Sequence, residues 1–335
     1  MKSLRQIAKE AGVSVATVSR VINNSAKVSA ATKAKVLAVL KDSDFGSSDR
    51  QDNTADFAVA ASGLRNPFVA SIVDGIEKQA AEHDMNLLFI RNGGGPPAEK
   101  EVVESLYEKG IRYCICFTGC TDISRDASFY EEYTLRGMRF FLIDQCIQGL
   151  DADTILGDNY QGARRLTNHV IGKGHRHIGY LAGGSGHTSN TQRVRGFLDA
   201  AADHGVDDVF VMSGSYNQQS GYERMNTLLS SSQYPSVVIA GNNDIALGAF
   251  YAVHERGLNV PKDISLVCFD EVDAAFIAKN FFTTMAQPSY LMGSLAFEVM
   301  NLRMRIPDMP TQRLTLAPRL NEGSSLLDLD ATATT

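Results

Sequence analysis

Residues 4–23 read L-R-Q-I-A-K-E-A-G-V-S-V-A-T-V-S-R-V-I-N. Ile7, Ala8 and Ala11 recur at helical spacing behind a possible cap, Ser3, so the pattern predicts a first helix from Leu4 to about Ala11. Gly12 tolerates the positive φ of a tight turn. Ser14 is placed to cap a second helix whose apolar face is Val15, Val18, Val21 and Ile22. Val15, Ala16, Thr17, Ser19, Arg20, Asn23 and Asn24 then fall near the exposed side. They are small and polar apart from one guanidinium, which suits a helix lying in a DNA major groove. An ordinary helical hairpin with a glycine turn satisfies the same pattern.

Charge is divided unevenly around this stretch. The chain of 335 residues carries a net −6, but residues 1–50 hold nine Lys/Arg against four Asp/Glu, a local +5 that leaves −11 for the remainder. A basic front module on an acidic body is expected where one end meets phosphate. The length predicts two or three domains, and a hydrophobic content of 44% is enough for real cores. No apolar run reaches the ~18–20 residues of a membrane span, and the charged first helix lacks a signal-peptide core, so the expected location is cytoplasmic. Of five cysteines, Cys114, Cys116 and Cys268 lie in apolar runs and read as buried thiols of a reducing compartment. The C-x-C at 114–116 with Cys120 suggests a metal, but alternation puts 114 and 116 on one face of a core strand with no histidine spaced nearby. No metal and no cofactor is expected.

Residues 42–56, D-S-D-F-G-S-S-D-R-Q-D-N-T-A-D, form a linker by composition. Beyond it strands and helices alternate. Strands are expected at 57–62, 86–90, 113–117, 140–143, 178–182, 209–211, 237–240 and 265–269. Helices are expected at 67–84, 97–109, 128–137, 159–172, 192–204, 220–231 and 244–256. Such alternation argues for parallel sheets with helices on both faces, and two similar α/β halves suggest a cleft between two lobes. Asn92 to Pro97, N-G-G-G-P-P, lacks the lysine and spacing of a P-loop and reads as a lip loop.

A-G-V-S-V-A-T-V-S-R-V-I-N at 11–23 resembles the DNA-reading headpiece of the lactose/galactose repressor (LacI/GalR) family. The match continues through Val28-Ser29 into a third helix, Ala30 to about Lys41, capped by Ser29, with Val36, Leu37 and Leu40 covering the first two. The resemblance implies that Val15, Ala16 and Arg20 read bases. Arg20 is the candidate for a bidentate guanine contact worth about 1–3 kcal/mol. Ser14, Thr17, Asn23 and Asn24 fit phosphate contacts, which fix register. The linker departs from the family: it has no proline, and no leucine between Phe45 and Phe57, so a leucine wedge in the minor groove is not carried over.

The later motifs are similar to the family's two-lobed, type I periplasmic-binding-protein-like effector domain. They are N-P-F at 66–68, G-H-R-H-I-G-Y-L-A-G at 174–183, R-V-R-G-F at 193–197, N-D-I-A-L-G at 243–248, V-C-F-D at 267–270 and F-T-T-M-A-Q-P at 282–288. The fold class expected is thus an all-α helix-turn-helix headpiece (1–45), a linker (46–56), an α/β two-lobed effector and dimerisation domain (57–322, crossovers near 158 and 287), and a flexible tail (323–335). The tail lacks leucine heptads, so a homodimer is expected and not a tetramer.

Carried over motif by motif, the ligand residues are Phe68 as an apolar wall, Arg193 as a bidentate fork, Tyr216 as an aromatic ring, Asn243, Asp270 and Gln287, with Asp144 and Asp158 as further candidates. A salt bridge of Arg193 with Asp270 across the cleft is the structural alternative, and Asp244 is expected to cap its helix. His175 and His177 read as a strand-entry element. The resemblance implies a dimeric regulator on a pseudo-palindromic double-stranded DNA operator, its affinity set by a small molecule, a sugar or alternatively a purine or nucleoside. A small-molecule-binding protein with weakened DNA reading is the alternative function. No nucleophile–base pair, metal cluster or nucleotide loop supports an enzyme.

Overall fold

The computed structural model describes residues 4–22, 28–29, 32–33, 35–36, 39, 55–61, 63–92, 96–117, 127–272, 277–278 and 280–332. The chain divides into two compact units, Met1–Thr54 and Ala55–Thr335, the boundary falling inside the linker expected at 46–56.

In the first unit α1 (Leu4–Glu10) and α2 (Val15–Ile22) are joined by a turn in which Gly12 has φ +66°. Ser14 ends the turn as an N-cap: its Oγ accepts from Thr17 N at 3.1 Å and lies 2.8 Å from Thr17 Oγ1. Ala8, Ala11, Val18, Val21 and Val36 form a small buried core. Val36 belongs to a further helical stretch, whose Ser29 Oγ accepts from Thr32 N at 3.3 Å, as a cap does. The other two residues expected to cover the core, Leu37 and Leu40, and the linker at 42–54 lie outside the described residues.

The second unit holds two lobes. Lobe 1 is built on the strand order β11-β5-β4-β3-β1-β2 and lobe 2 on β12-β10-β9-β8-β6-β7. Lobe 1 comprises β1 (Phe57–Ala61), α3 (Pro67–Glu82), β2 (Leu87–Arg91), α4 (Pro96–Glu108), β3 (Tyr113–Cys116), α5 (Ser128–Leu135), β4 (Arg139–Ile143) and β5 (Asp153–Gly157). Lobe 2 takes α6 (Asn159–Gly172), β6 (Ile178–Leu181), α7 (Thr188–Asp203), β7 (Val209–Met212), α8 (Gln218–Leu229), β8 (Val237–Ala240), α9 (Asn243–Glu255), β9 (Ser265–Phe269) and β10 (Thr283–Ala286). The chain returns to lobe 1 for α10 (Ser289–Arg305) and β11 (Arg313–Leu316), and ends in lobe 2 with β12 (Arg319–Asn321) and α11 (Leu329–Thr332).

The strand sequences explain the layering. All of β1, F-A-V-A-A, is buried. Phe57, Val59 and Ala61 enter a core with Ile72 and Ile76 of α3 and Met292 and Phe297 of α10, while Ala58 and Ala60 face Val103 and Leu106 of α4. A strand buried on both faces loses the in–out alternation of an exposed sheet and reads as a continuous apolar run. Lobe 2 repeats the scheme with α6 and α7 on one face and α8 and α9 on the other.

Three crossovers join the lobes, one more than expected: near 158, near 287, and at 317–318 between β11, which pairs with β5, and β12, which pairs antiparallel with β10. The tail also departs from its expected flexibility. Ser325 is fully buried, its Oγ donating to Leu266 O at 2.5 Å and accepting from Thr283 N at 2.9 Å, and Lys173 pairs with Asp328 at 3.0 Å. Its polar composition hides these long-range bonds, so the tail to Thr332 is part of lobe 2. Among the described residues Cys114, Cys116 and Cys268 are buried and outside any disulfide, and Cys146 is exposed. Among the described residues no helix is long and apolar enough to cross a membrane.

Candidate functional site

A cavity of about 280 Å³ lies between the lobes. Its walls come from segments that follow the C-terminal ends of strands in both sheets, the place where open α/β sheets bind ligands. Lobe 1 supplies Asn66, Phe68, Val69, Phe117, Ile143, Asp144 and Gln145. Lobe 2 supplies His187, Ser189, Arg193, Tyr216, Asn242, Asp244 and Asp270, and the second crossover supplies Gln287. A second cavity of about 420 Å³ shares Phe68, Asp270 and Gln287 with the first.

Six of the eight expected residues therefore share one cavity: Phe68, Asp144, Arg193, Tyr216, Asp270 and Gln287. Phe68 is brought there by a helix start. Asn66 caps α3, accepting from Phe68 N at 2.9 Å, and Pro67 occupies the first turn, where its missing N–H costs nothing.

Asp144 and Asp270 occupy equivalent places, each directly after the fourth strand of its lobe. Both adopt left-handed backbone, φ +60° and +64°. Each donates its N–H to the adjoining strand, Asp144 to Ile155 O at 2.9 Å and Asp270 to Met285 O at 3.1 Å. Such backbone costs a non-glycine residue of order 1–3 kcal/mol and clusters at ligand clamps. Here it delivers one carboxylate from each lobe to one cavity.

Arg193, on α7, is almost wholly buried. Its Nε donates to Asn159 Oδ1 at 2.6 Å and one terminal nitrogen, Nη1, to Gly241 O at 2.6 Å, while the guanidinium lies 4.3 Å above the Phe269 ring. Burial alone would lower its pKa, but Asp270 foremost, with Tyr216 and Asp144, holds it above the ordinary value. Asp270 Oδ2 stands 3.7 Å from Nη1, and Asp270 Oδ1 accepts from Gln287 Nε2 at 2.9 Å. The first distance is too long for a hydrogen bond but close enough for strong Coulombic attraction between buried groups. The cross-cleft salt bridge weighed as the alternative is not formed: both residues belong to lobe 2. Among the described residues Arg193 Nη2 makes no hydrogen bond. Burial pushes the Tyr216 phenol up to about 12, with Arg193 opposing, so it remains a neutral hydroxyl at neutral pH.

Two expected ligand residues do not line the cavity. Asp158 caps α6, accepting from Gln161 N at 3.1 Å, since the first crossover leads straight into that helix. Asn243 is buried one position inside α9, its Nδ2 donating to Glu271 O at 3.1 Å and its Oδ1 accepting from Asp244 N at 2.9 Å. The cap expected of Asp244 is supplied by Asn242, which has extended backbone and accepts from Ile245 N at 2.9 Å. The N-N-D run is thus shifted by one: Asn242 and Asp244 reach the cavity and the asparagine between them does not. Asn66 also lines it, and its signal was available in N-P-F. Val69, Phe117, Ile143, Gln145, His187 and Ser189 carried no motif of their own. His175 is a buried strand-entry residue, its Nε2 3.1 Å from Leu327 O and its Nδ1 2.8 Å from Ser236 Oγ.

On the headpiece, Val15 is 41% exposed at the first turn of α2, and Thr17 is partly exposed. Ala16, Ser19 and Arg20 lie on the same helix, but their side chains fall outside the described residues, as do Asn23 and Asn24 altogether.

Comparison with known proteins agrees with both units. The family profile described as Periplasmic binding proteins and sugar binding domain of LacI family matches residues 57–307, and Bacterial regulatory proteins, lacI family, matches residues 3–48. The ribose operon repressor of Escherichia coli K12 is 29% identical over 335 residues, 97% of this chain and 100% of that protein. The HTH-type transcriptional repressor PurR of Edwardsiella ictaluri is 27% identical over 337 residues, 98% of each. A solved LacI-family regulator from Enterococcus faecium with bound ribose superposes with a TM-score of 0.72 at 21% identity, covering 82% of this chain and 99% of that one. With both its front and its body matched in order, the chain belongs to the LacI family of bacterial regulatory proteins.

Proposed function

We propose that this chain is a cytoplasmic transcription repressor that reads a pseudo-palindromic operator as a homodimer and responds to a neutral sugar held between its lobes. The observation that carries the ligand class is the donor–acceptor balance of the cavity. Asp144, Asp244 and Asp270 are carboxylates, acceptor-only when ionised, and among the described residues lining the cavity the one guanidinium, that of Arg193, is already bonded on two nitrogens. Such a site needs a ligand rich in donors. Each hydroxyl of a sugar donates, so a sugar brings several donors, whereas a purine base brings only a few N–H groups beside ring nitrogens and carbonyls that accept. Among the described lining residues a phosphorylated ligand would meet three carboxylates with one guanidinium to offset them. Phe68, Val69 and Phe117 offer the apolar wall on which the C–H face of a sugar ring packs. The ribose operon repressor among the relatives agrees with this choice.

In this reading Phe68, Asp144, Arg193, Tyr216, Asp270 and Gln287 contact the effector, joined by Asn66, Asn242 and Asp244. Ser14, Val15, Ala16, Thr17, Ser19, Arg20, Asn23 and Asn24 face DNA, with Arg20 reading a guanine. No catalysis is involved. Ligand and operator are linked reciprocally: a sugar that releases DNA must bind more weakly when DNA is present.

The experiment is a calorimetric titration of the full chain with D-ribose and with hypoxanthine. It is paired with selection of genomic fragments at near-physiological salt, with and without the sugar. Binding of the sugar and recovery of a palindromic site that changes with it supports the proposal. Binding of hypoxanthine alone would replace the sugar by a purine. Affinity for random DNA equal to that for any selected fragment, where about 10³-fold or more is expected, would overturn operator reading and leave a small-molecule-binding protein.

A further inference from the structure

The Asn66 side chain is divided between two tasks. Its Oδ1 accepts from Phe68 N at 2.9 Å and so fixes the first turn of α3 in lobe 1. Its Nδ2 crosses the cleft, donating to Asp244 Oδ2 at 3.0 Å and standing 3.3 Å from Asn243 Oδ1, both at the start of α9 in lobe 2. Asp244 is steadied from its own lobe by Gln218 Nε2, 3.3 Å from Oδ1. Asn66 and Asp244 both line the effector cavity, and neither belongs to a crossover.

We infer that Asn66 and Asp244 form a clasp across the cleft, a pair of positioning residues that holds the lobes closed around the effector and sets its affinity through that closure. The inference rests on reading the cavity as an effector site. The acceptor is a carboxylate, so the bond is charge-assisted and of the stronger kind. Because the same amide presents Phe68 and bridges the lobes, opening the clasp and withdrawing the apolar wall from lobe 2 are one motion. An asparagine is needed for both tasks: serine, threonine or aspartate would cap α3 equally well but would lack the Nδ2 donor.

The test exchanges donor and acceptor in the full-length chain. Asn66→Asp retains the cap but sets two carboxylates against each other. Adding Asp244→Asn returns one donor and one acceptor with their direction reversed. Small-angle scattering without ligand reports lobe opening, and titration with D-ribose reports affinity. Asn66→Asp is expected to raise the radius of gyration and weaken ribose binding by about tenfold or more, with the double variant recovering most of both. Circular dichroism of each variant checks that the fold is intact. Scattering identical to the parent in Asn66→Asp, or no recovery in the double variant, overturns the clasp. If no variant binds D-ribose, the parent included, the sugar reading fails, and the scattering comparison still decides the clasp.

Discussion

Replacing Arg193 by Met tests whether the guanidinium is a structural element of lobe 2 before it is a ligand contact. Methionine keeps much of the volume and removes the charge and every donor. Three things are lost. Asn159 Oδ1 and Gly241 O each lose a bond of 2.6 Å, and Asp270, with its side chain 9% exposed, loses the cation 3.7 Å away. A buried acceptor left unsatisfied costs roughly 1–3 kcal/mol. Removing one partner of a buried ion pair costs about 3–5 kcal/mol, much of it the penalty on the charge left behind. These overlap, because the same guanidinium supplies all of them, and Asp270 keeps the Gln287 amide at 2.9 Å. The expected loss is therefore about 4 kcal/mol and not the sum.

Urea unfolding followed by far-ultraviolet circular dichroism measures it. The double variant Arg193→Met/Asp270→Asn removes the stranded charge while an amide oxygen still accepts from Gln287. It should recover about 2 kcal/mol of the loss, a coupling within the range found for residues in contact. A loss below about 1 kcal/mol in Arg193→Met, or strict additivity with Asp270→Asn, would refute the reasoning. The guanidinium would then be free to serve the ligand alone.

Three further outcomes are expected. Gly157→Ala would place a Cβ 2.0 Å from Gln287 Oε1, so the amide must shift and release Asp270; D-ribose affinity should fall at least about tenfold for a stability cost of about 1–3 kcal/mol, and unchanged titration would show that Gln287 yields without consequence. Ser14→Ala removes the cap of α2, costing about 1 kcal/mol of headpiece stability, read as a lowered helical melting signal with effector binding unaltered. Burial lowers the His175 pKa, with the Leu327 carbonyl opposing, so the folded state favours the neutral ring; its contribution is complete above the unfolded value of 6.5 and is lost as pH falls below that value towards the folded one. Urea midpoints should drop across that interval, and His175→Asn should flatten the drop; an equal drop in the variant would assign it to other groups.

The parts legible from sequence are those whose signal is local. The headpiece turn rests on Ser14 and Gly12 within a few residues, and β1 or β9 announces itself as an apolar run because parallel strands are buried on both faces. The clear alternation of strand and helix stops at Phe269, and the elements beyond it depend on distant partners. Earlier in the chain β5, D-T-I-L-G, is missing from the expected strands for the same reason, being held between β4 and β11, the latter some 160 residues on. Buried Thr283 and Thr284 look unlike a core strand until Ser325 is seen to accept from Thr283 N. In the cavity, motif spacing located the N-N-D run to within one residue, but only the extended backbone of Asn242 decides which asparagine caps and which side chain lines the cavity. Asp144 and Asp270 show the same limit: their positive φ comes from bonds to neighbouring strands that the sequence does not display.

Those same bonds bear on how a ligand could move the lobes. Asn159 accepts from Arg193 with its oxygen and donates to Gly157 O at 3.1 Å with its nitrogen, so the guanidinium is one side chain removed from the first crossover. Asp270 accepts from Gln287, which is itself the second crossover and packs against Gly157. The cation and the carboxylate lining the cavity are therefore tied to two of the three covalent connections between the lobes. A ligand that took Arg193 Nη2 and Asp270 Oδ2 would pull on two groups whose other atoms, Nε and Oδ1, hold Asn159 and Gln287 and so the crossover geometry, whereas one contacting only the apolar wall of Phe68 and Phe117 would not. Binding that leaves the lobe angle unchanged is then the behaviour expected of apolar analogues, and a hydroxyl at the Arg193–Asp270 pair is the feature that separates a ligand with regulatory effect from one that merely occupies the cavity.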